Sequence, residues 1–176
     1  HLPSETLLLK GEDLSRRFFS DPLLRSTTDV DLLVSPAHVV PIAETLKHRG
    51  FTMGSRLRPW ALNQLVLQPP MRLPLVEIHW RLTLPGLPTI PLQEMLRRAE
   101  GFSGMNVLAP PDLLAHLAFH FLQHAGHKKG LFDIAAWLDR WGESGRFEEA
   151  RATMANVGAE SVLRWALKLL DEIIGT

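Results

Sequence analysis

The chain has 176 residues, 45% of them hydrophobic, with 19 Lys+Arg against 19 Asp+Glu and no cysteine. The length suits one domain, or a domain with a helical appendage. Zero net charge argues against bulk nucleic-acid binding, and the lack of cysteine excludes disulfides, thiolate metal sites and a cysteine nucleophile. No apolar run approaches the roughly 20 residues of a membrane span. No signal peptide is read at the start, and a cytoplasmic setting is expected. Because the chain starts at His1 rather than Met, a fragment or a processed product is expected.

Residues 6–10 (Thr6-Leu7-Leu8-Leu9-Lys10) read as a short buried strand ending at Gly11. Residues 12–19 read as a helix with Leu14 and Phe18 four apart, broken at Ser20-Asp21-Pro22. A strand follows over 29–34. Ser35-Pro36 then fits an N-cap with proline in the first helical turn. That helix runs to about Arg49, with Val39, Ile42, Ala43 and Leu46 on one face and Gly50 as its stop. Residues 51–58 and 62–68 read as two hairpin-like strands, and 75–80 as a further strand. Pro85, Pro88 and Pro91 mark a linker-like turn. A short helix at 92–99 and a strand or extended piece at 106–109 precede four segments of helical period, near 111–125, 131–141, 147–156 and 160–174. The expectation is a mixed α/β core over residues 1–84 and a helical appendage over 85–176 packed on it.

The chemistry concentrates in Thr28-Asp29-Val30-Asp31-Leu32-Leu33-Val34. A strand alternates its faces, so Asp29 and Asp31 point the same way. Like charges that close oppose each other's ionisation, and a divalent cation between them removes the conflict. Glu77 and His79 also share one face, on a strand able to pair beside the first. Hard oxygen donors suit Mg²⁺ or Mn²⁺, and such ions can stabilise attacking and leaving oxygens in phosphoryl or nucleotidyl transfer. Gly11, between a strand and a helix, lets a phosphate approach the backbone, and Lys10 adds a charge there. Read alone, Asp29 and Asp31 also suit a solvated strand end, and His79 a hydrogen bond within the sheet.

The order Leu9-Lys10-Gly11, Arg25, Asp29-Val30-Asp31-Leu32-Leu33-Val34 and Glu77-Ile78-His79-Trp80 resembles the uncharacterised nucleotidyltransferase branch of the DNA polymerase β-like superfamily. Pro110-Pro111-Asp112-Leu113-Leu114, His116, His120, His124 and Asp133-Ile134-Ala135 are similar to that branch's helical part. The resemblance implies an α+β fold, with a small mixed sheet flanked by helices and followed by a C-terminal helical bundle. It implies Mg²⁺- or Mn²⁺-dependent transfer of a nucleoside monophosphate from NTP to a hydroxyl of a small molecule or protein. By position, Asp29, Asp31 and Glu77 would be the catalytic, metal-holding carboxylates. Lys10, Gly11 and Arg25 would lie near the triphosphate, and His79, His120, His124 and Asp133 would face the cleft. The superfamily usually has Gly-Ser where this chain has Gly11-Glu12, and a shorter gap than that between Gly11 and Asp29.

Two other readings stand beside this one. In the first, the fold is kept without turnover, and the chain is a binding or accessory module acting through a protein partner. In the second, the stripe of His116, His120 and His124, spaced by four, binds zinc or another metal for hydrolysis; read without that chemistry, the stripe is packing or a polar lining. Asp133 is read either as orienting one of these imidazoles or as a helix-surface charge. Arg56, Arg58 and Arg72 are read as a solvated face or as contacts to phosphates or an acidic acceptor, and His127-Lys128-Lys129-Gly130 as a polar loop between helices.

Overall fold

The computed structural model describes residues 2–19, 21, 25, 27–54, 62–71, 73–124 and 128–175, without the side chains of Glu12 and Ile174. The expectations for Arg56, Arg58, Arg72 and His127 lie outside the described residues, and Lys128, Lys129 and Gly130, expected in a polar loop, instead open the helix Lys128–Trp141. The strands are β1 (Leu7–Lys10), β2 (Asp29–Leu33), β3 (Thr52–Met53), β4 (Gln64–Gln68), β5 (Leu75–His79), β6 (Glu100–Phe102) and β7 (Met105–Val107). The helices are α1 (Glu12–Phe18), α2 (Pro36–His48), α3 (Leu92–Arg98), α4 (Pro110–Gln123), α5 (Lys128–Trp141), α6 (Arg146–Asn156) and α7 (Glu160–Ile174). The fold is α+β, with a mixed sheet and C-terminal helices.

The strands form one sheet in the order β3-β4-β5-β2-β1-β7-β6. β2 runs parallel to β5 and β1 parallel to β7; the other pairings are antiparallel. Alternation along the strands gives the sheet two apolar faces. Leu8, Leu32, Val34 and Ile78 pack against Val39, Ile42 and Ala43 of α2. Leu7, Leu9 and Leu33 pack the other way, against α4 and the helices around it. The sheet therefore lies between α2 and the bundle.

α4 is the bundle's central helix and is buried along nearly its whole length. Pro110 and Pro111 occupy its first turn, where a missing N–H costs no helical bond. Asp112, also in that turn and fully buried, takes two hydrogen bonds from the Arg98 guanidinium of α3, at 2.9 and 2.7 Å. Trp137 of α5 donates from Nε1 to the Pro110 carbonyl at 2.8 Å, which pins α5 to the start of α4. Trp137 is fully buried, and truncating it to alanine would cost about 3–5 kcal/mol.

Two local expectations change. β3 spans only Thr52–Met53, pairing with Gln68 and Leu67, in place of a strand over 51–58; residues 55–61 lie outside the described set. The strand or extended piece expected at 106–109 is present as β7, and it is half of a hairpin whose other strand, β6, was not expected. β6 and β7 are joined by Ser103-Gly104, both at positive φ (48° and 79°), as a type I′ turn requires. Strands of three residues are too short to show a period. This hairpin pairs through β7 with β1 and completes the sheet.

Candidate active site

Parallel pairing of β2 and β5 sets Asp31 directly beside Glu77 and Leu33 beside His79. With Leu33 on the bundle side, Asp31, Glu77 and His79 face the bundle as well. One ligand atom from each of these three lies within 4.8 Å of the others. The His79 Nε2–H donates to Asp31 Oδ1 at 3.1 Å and lies 3.5 Å from Glu77 Oε2. Asp31 is only 1% exposed, and its Oδ2 has no hydrogen-bond partner. Its nearest cation there is Lys10 Nζ, 3.5 Å away.

The charge states follow from these neighbours. Burial raises the Asp31 pKa, but the His79 hydrogen bond and the charges of Lys10 and His79 outweigh it, so the carboxyl ionises below its ordinary range. Burial lowers the His79 pKa, and the bonds to Asp31 and Glu77 outweigh it in turn, so His79 holds its proton above the usual imidazole value.

Lys10 reaches this face through a backbone irregularity. Along β1, Leu7 pairs with Leu33 and Leu8 with Leu32, but Lys10 pairs with Asp31. One extra residue, Leu9, is taken up in a bulge, and a bulge re-aims the side chain that follows it. Strict alternation would have put Lys10 on the α2 side with Leu8. Instead its ammonium donates to His120 Nε2 of α4 at 2.7 Å. Burial and then the Lys10 charge lower the His120 pKa to about 2, so its Nε2 stays an acceptor. His116, one turn earlier, is buried with neither ring nitrogen paired, and burial is the main cause lowering its pKa to about 3.

Gly11 has φ 104°, a conformation open to glycine at little cost, and a Cβ there would lie 3.3 Å from the Asp29 carbonyl oxygen. Its own carbonyl accepts from Arg25 Nη1 at 3.2 Å. The rest of the Arg25 guanidinium grips Asp133 of α5, Nε to Oδ1 at 2.7 Å and Nη2 to Oδ2 at 2.9 Å. Both side chains are buried. Asp133 is thus the partner of Arg25, in place of the imidazole or surface position expected for it. The pair ties the Gly11 turn to the bundle. Beside it opens a cleft of about 270 Å³, lined by Lys10, Gly11, Arg25, Thr28, Asp29, His120, Phe121, His124, Lys129, Gly130 and Asp133.

A sequence model of the uncharacterised nucleotidyltransferase family matches residues 4–175. The chain belongs to that family. No curated protein and no solved structure matches it. Membership supports nucleotidyl transfer as the general chemistry, and the match runs through α7, beyond the motifs that carried the resemblance.

Asp31, Glu77 and His79 come together and Lys10 joins them. Asp29 is not part of the three-residue group; half-buried, it lines the adjoining cleft with Gly11, Arg25, His120, His124 and Asp133. His79 enters as a member of the donor group itself. Phe121, Lys129 and Gly130 are cleft residues with no signal in the sequence, since nothing there shows α5 starting against the end of α4. Among the described residues the histidine stripe forms no candidate metal group; His120 is bonded to Lys10, and the rings of His120 and His124 stack with centroids 4.2 Å apart. The one candidate metal group among the described residues is Asp31, Glu77 and His79. Among those residues no helix is long and apolar enough to cross a membrane.

Proposed function

We propose that the chain is a Mg²⁺-dependent nucleotidyltransferase that moves a nucleoside monophosphate from NTP to a hydroxyl of a small molecule or protein, in a cytoplasmic setting. The observation that carries this reading is the meeting of Asp31 and Glu77, from strands far apart in sequence, with a buried Asp31 oxygen left without a hydrogen bond. Two hard carboxylates and one orphaned oxygen suit Mg²⁺ or Mn²⁺. Asp31 and Glu77 would hold the ion, with Asp29 joining from the cleft side. When bound, the metal supplies Lewis-acid stabilisation of the charge that develops on the phosphoryl oxygens.

The remaining roles fall to this chain's own side chains. Lys10 offers its charge between the carboxylates and the cleft, where it offsets phosphate charge. Gly11 leaves the turn free of a side chain, so a polyphosphate can approach the backbone. Arg25, held by Asp133, fixes that turn against α5 on the cleft wall. Glu77, half-buried beside Asp31, would accept the acceptor hydroxyl's proton. That hydroxyl oxygen forms the new bond to phosphorus as pyrophosphate departs. Thermal-shift measurements with each NTP, with and without Mg²⁺ or Mn²⁺, test this reading. A ligand that binds only the native state raises the melting temperature. A metal-dependent rise with an NTP supports the proposal, and no rise with any NTP defeats it.

One observation favours the second reading, a non-catalytic module acting through a protein partner. Asp31 already faces the Lys10 ammonium and the His79 N–H. A site neutralised from within can keep its fold without an ion. Pyrophosphate release with Mn²⁺ and NTP separates the two: the enzyme releases it, and the module does not.

A further inference from the structure

α4 carries a graded series of imidazoles outward from the carboxylates. His116 is buried in the field of Asp31, His120 bonds Lys10, and His124 is exposed where the helix ends. The rings of His120 and His124 stack 4.2 Å apart with planes tilted 36°. Both line the 270 Å³ cleft together with the buried ring of Phe121. Gly130 of α5 packs on that ring so closely that a Cβ would come within 3.1 Å of it. The cleft therefore combines a cationic, glycine-bearing side at Lys10 and Gly11 with an aromatic side at Phe121 and His124. The His124 ring centre lies 4.2 Å beyond that of His120, the imidazole that holds Lys10. A base on the outer face of His124 is thus set off from the Lys10 charge, leaving room for a ribose between phosphate and base.

We infer that the His120–His124 stack is a nucleobase shelf, and that the chain takes a purine nucleoside triphosphate whose base stacks on His124. The inference rests on the reading of the cleft as the nucleotide site and extends it to the base. Stacking on an aromatic face needs no hydrogen-bond code and strengthens with ring area, so purines are held more tightly than pyrimidines. His124 is exposed, so changing it leaves the core intact.

The test is calorimetric titration of the full chain with Mn²⁺ and three probes: the α,β-methylene analogues of ATP and UTP, and inorganic tripolyphosphate, which lacks sugar and base. The expected result is that the ATP analogue binds at least tenfold more tightly than tripolyphosphate and more tightly than the UTP analogue. His124→Ala removes most of that advantage and leaves tripolyphosphate affinity unchanged, whereas His124→Phe retains it. Equal affinity for ATP analogue and tripolyphosphate, or an ATP-analogue affinity untouched by His124→Ala, overturns the shelf and leaves the nucleotide site standing. No binding of any probe overturns both.

Discussion

Lys10 and His120, separated by 110 positions in the chain, meet at 2.7 Å across the boundary between sheet and bundle. The contact depends on the bulge at Leu9 and on α4 lying over β1, and it brings the Lys10 charge to 3.5 Å from Asp31. Lys10→Met would keep the aliphatic stem and remove the cation. The buried Asp31 oxygen would then lose its nearest positive neighbour, while His79 would still serve Oδ1. The expected cost is about 1–3 kcal/mol in urea unfolding, the range for an uncompensated buried polar atom. Mn²⁺ should restore part of that loss, because it supplies the missing charge. A variant as stable as the native chain would show that Lys10 does not compensate Asp31.

Arg25 and Asp133 form a two-point buried pair. Removing one partner strands the other charge away from water, so Arg25→Ala is expected to destabilise by about 3–5 kcal/mol. Replacing both by apolar residues should cost less than the sum of the single changes. A double-mutant cycle measures this, and additive effects would mean that the two side chains do not depend on each other.

The histidines predict a stability optimum near pH 6.5. His116 and His120 have folded pKa values lowered to about 3 and about 2, so their contribution is present above the ordinary value of 6.5. It is lost as pH falls below 6.5, because the unfolded chain takes up protons that the folded chain refuses. The slope is up to about 1.4 kcal/mol per pH unit for each group. His79 has a raised folded pKa, so its contribution is full below 6.5 and fades as pH rises through the folded value. Melting temperature against pH should peak between these effects. His116→Leu should flatten the acid limb while leaving the alkaline limb in place; an unchanged acid limb would remove His116 from this account.

Most elements were legible in the sequence because their periods are long or their boundaries punctuated. The helices that became α2, α4, α6 and α7 carry proline, glycine or apolar stripes at their ends and faces, and β2 and β5 show clear alternation. The meeting of Asp31 with Glu77 could be anticipated from shared strand parity, although parity alone does not set the register. What could not be read was non-local or irregular. A bulge leaves no signature in Leu7-Leu8-Leu9-Lys10, so nothing forecast that Lys10 would share a face with Asp31. The pairing of Arg25 with Asp133 spans 108 positions and depends on where α5 docks. The hairpin of β6 and β7 was hidden by strands of three residues. Asp29, on the same strand face as Asp31, lies outside the donor group, a separation that strand parity does not reveal.

The most direct measurement is calorimetric titration of Mn²⁺ with a non-hydrolysable NTP analogue into the native chain, Asp31→Asn and Glu77→Gln, each first shown to be folded by circular dichroism and thermal unfolding. Two separately placed carboxylates serving one ion predict tight, metal-dependent nucleotide binding by the native chain and its loss, by at least tenfold, in both folded variants. Native affinity retained in both variants, or no metal-dependent binding by the native chain, would contradict it.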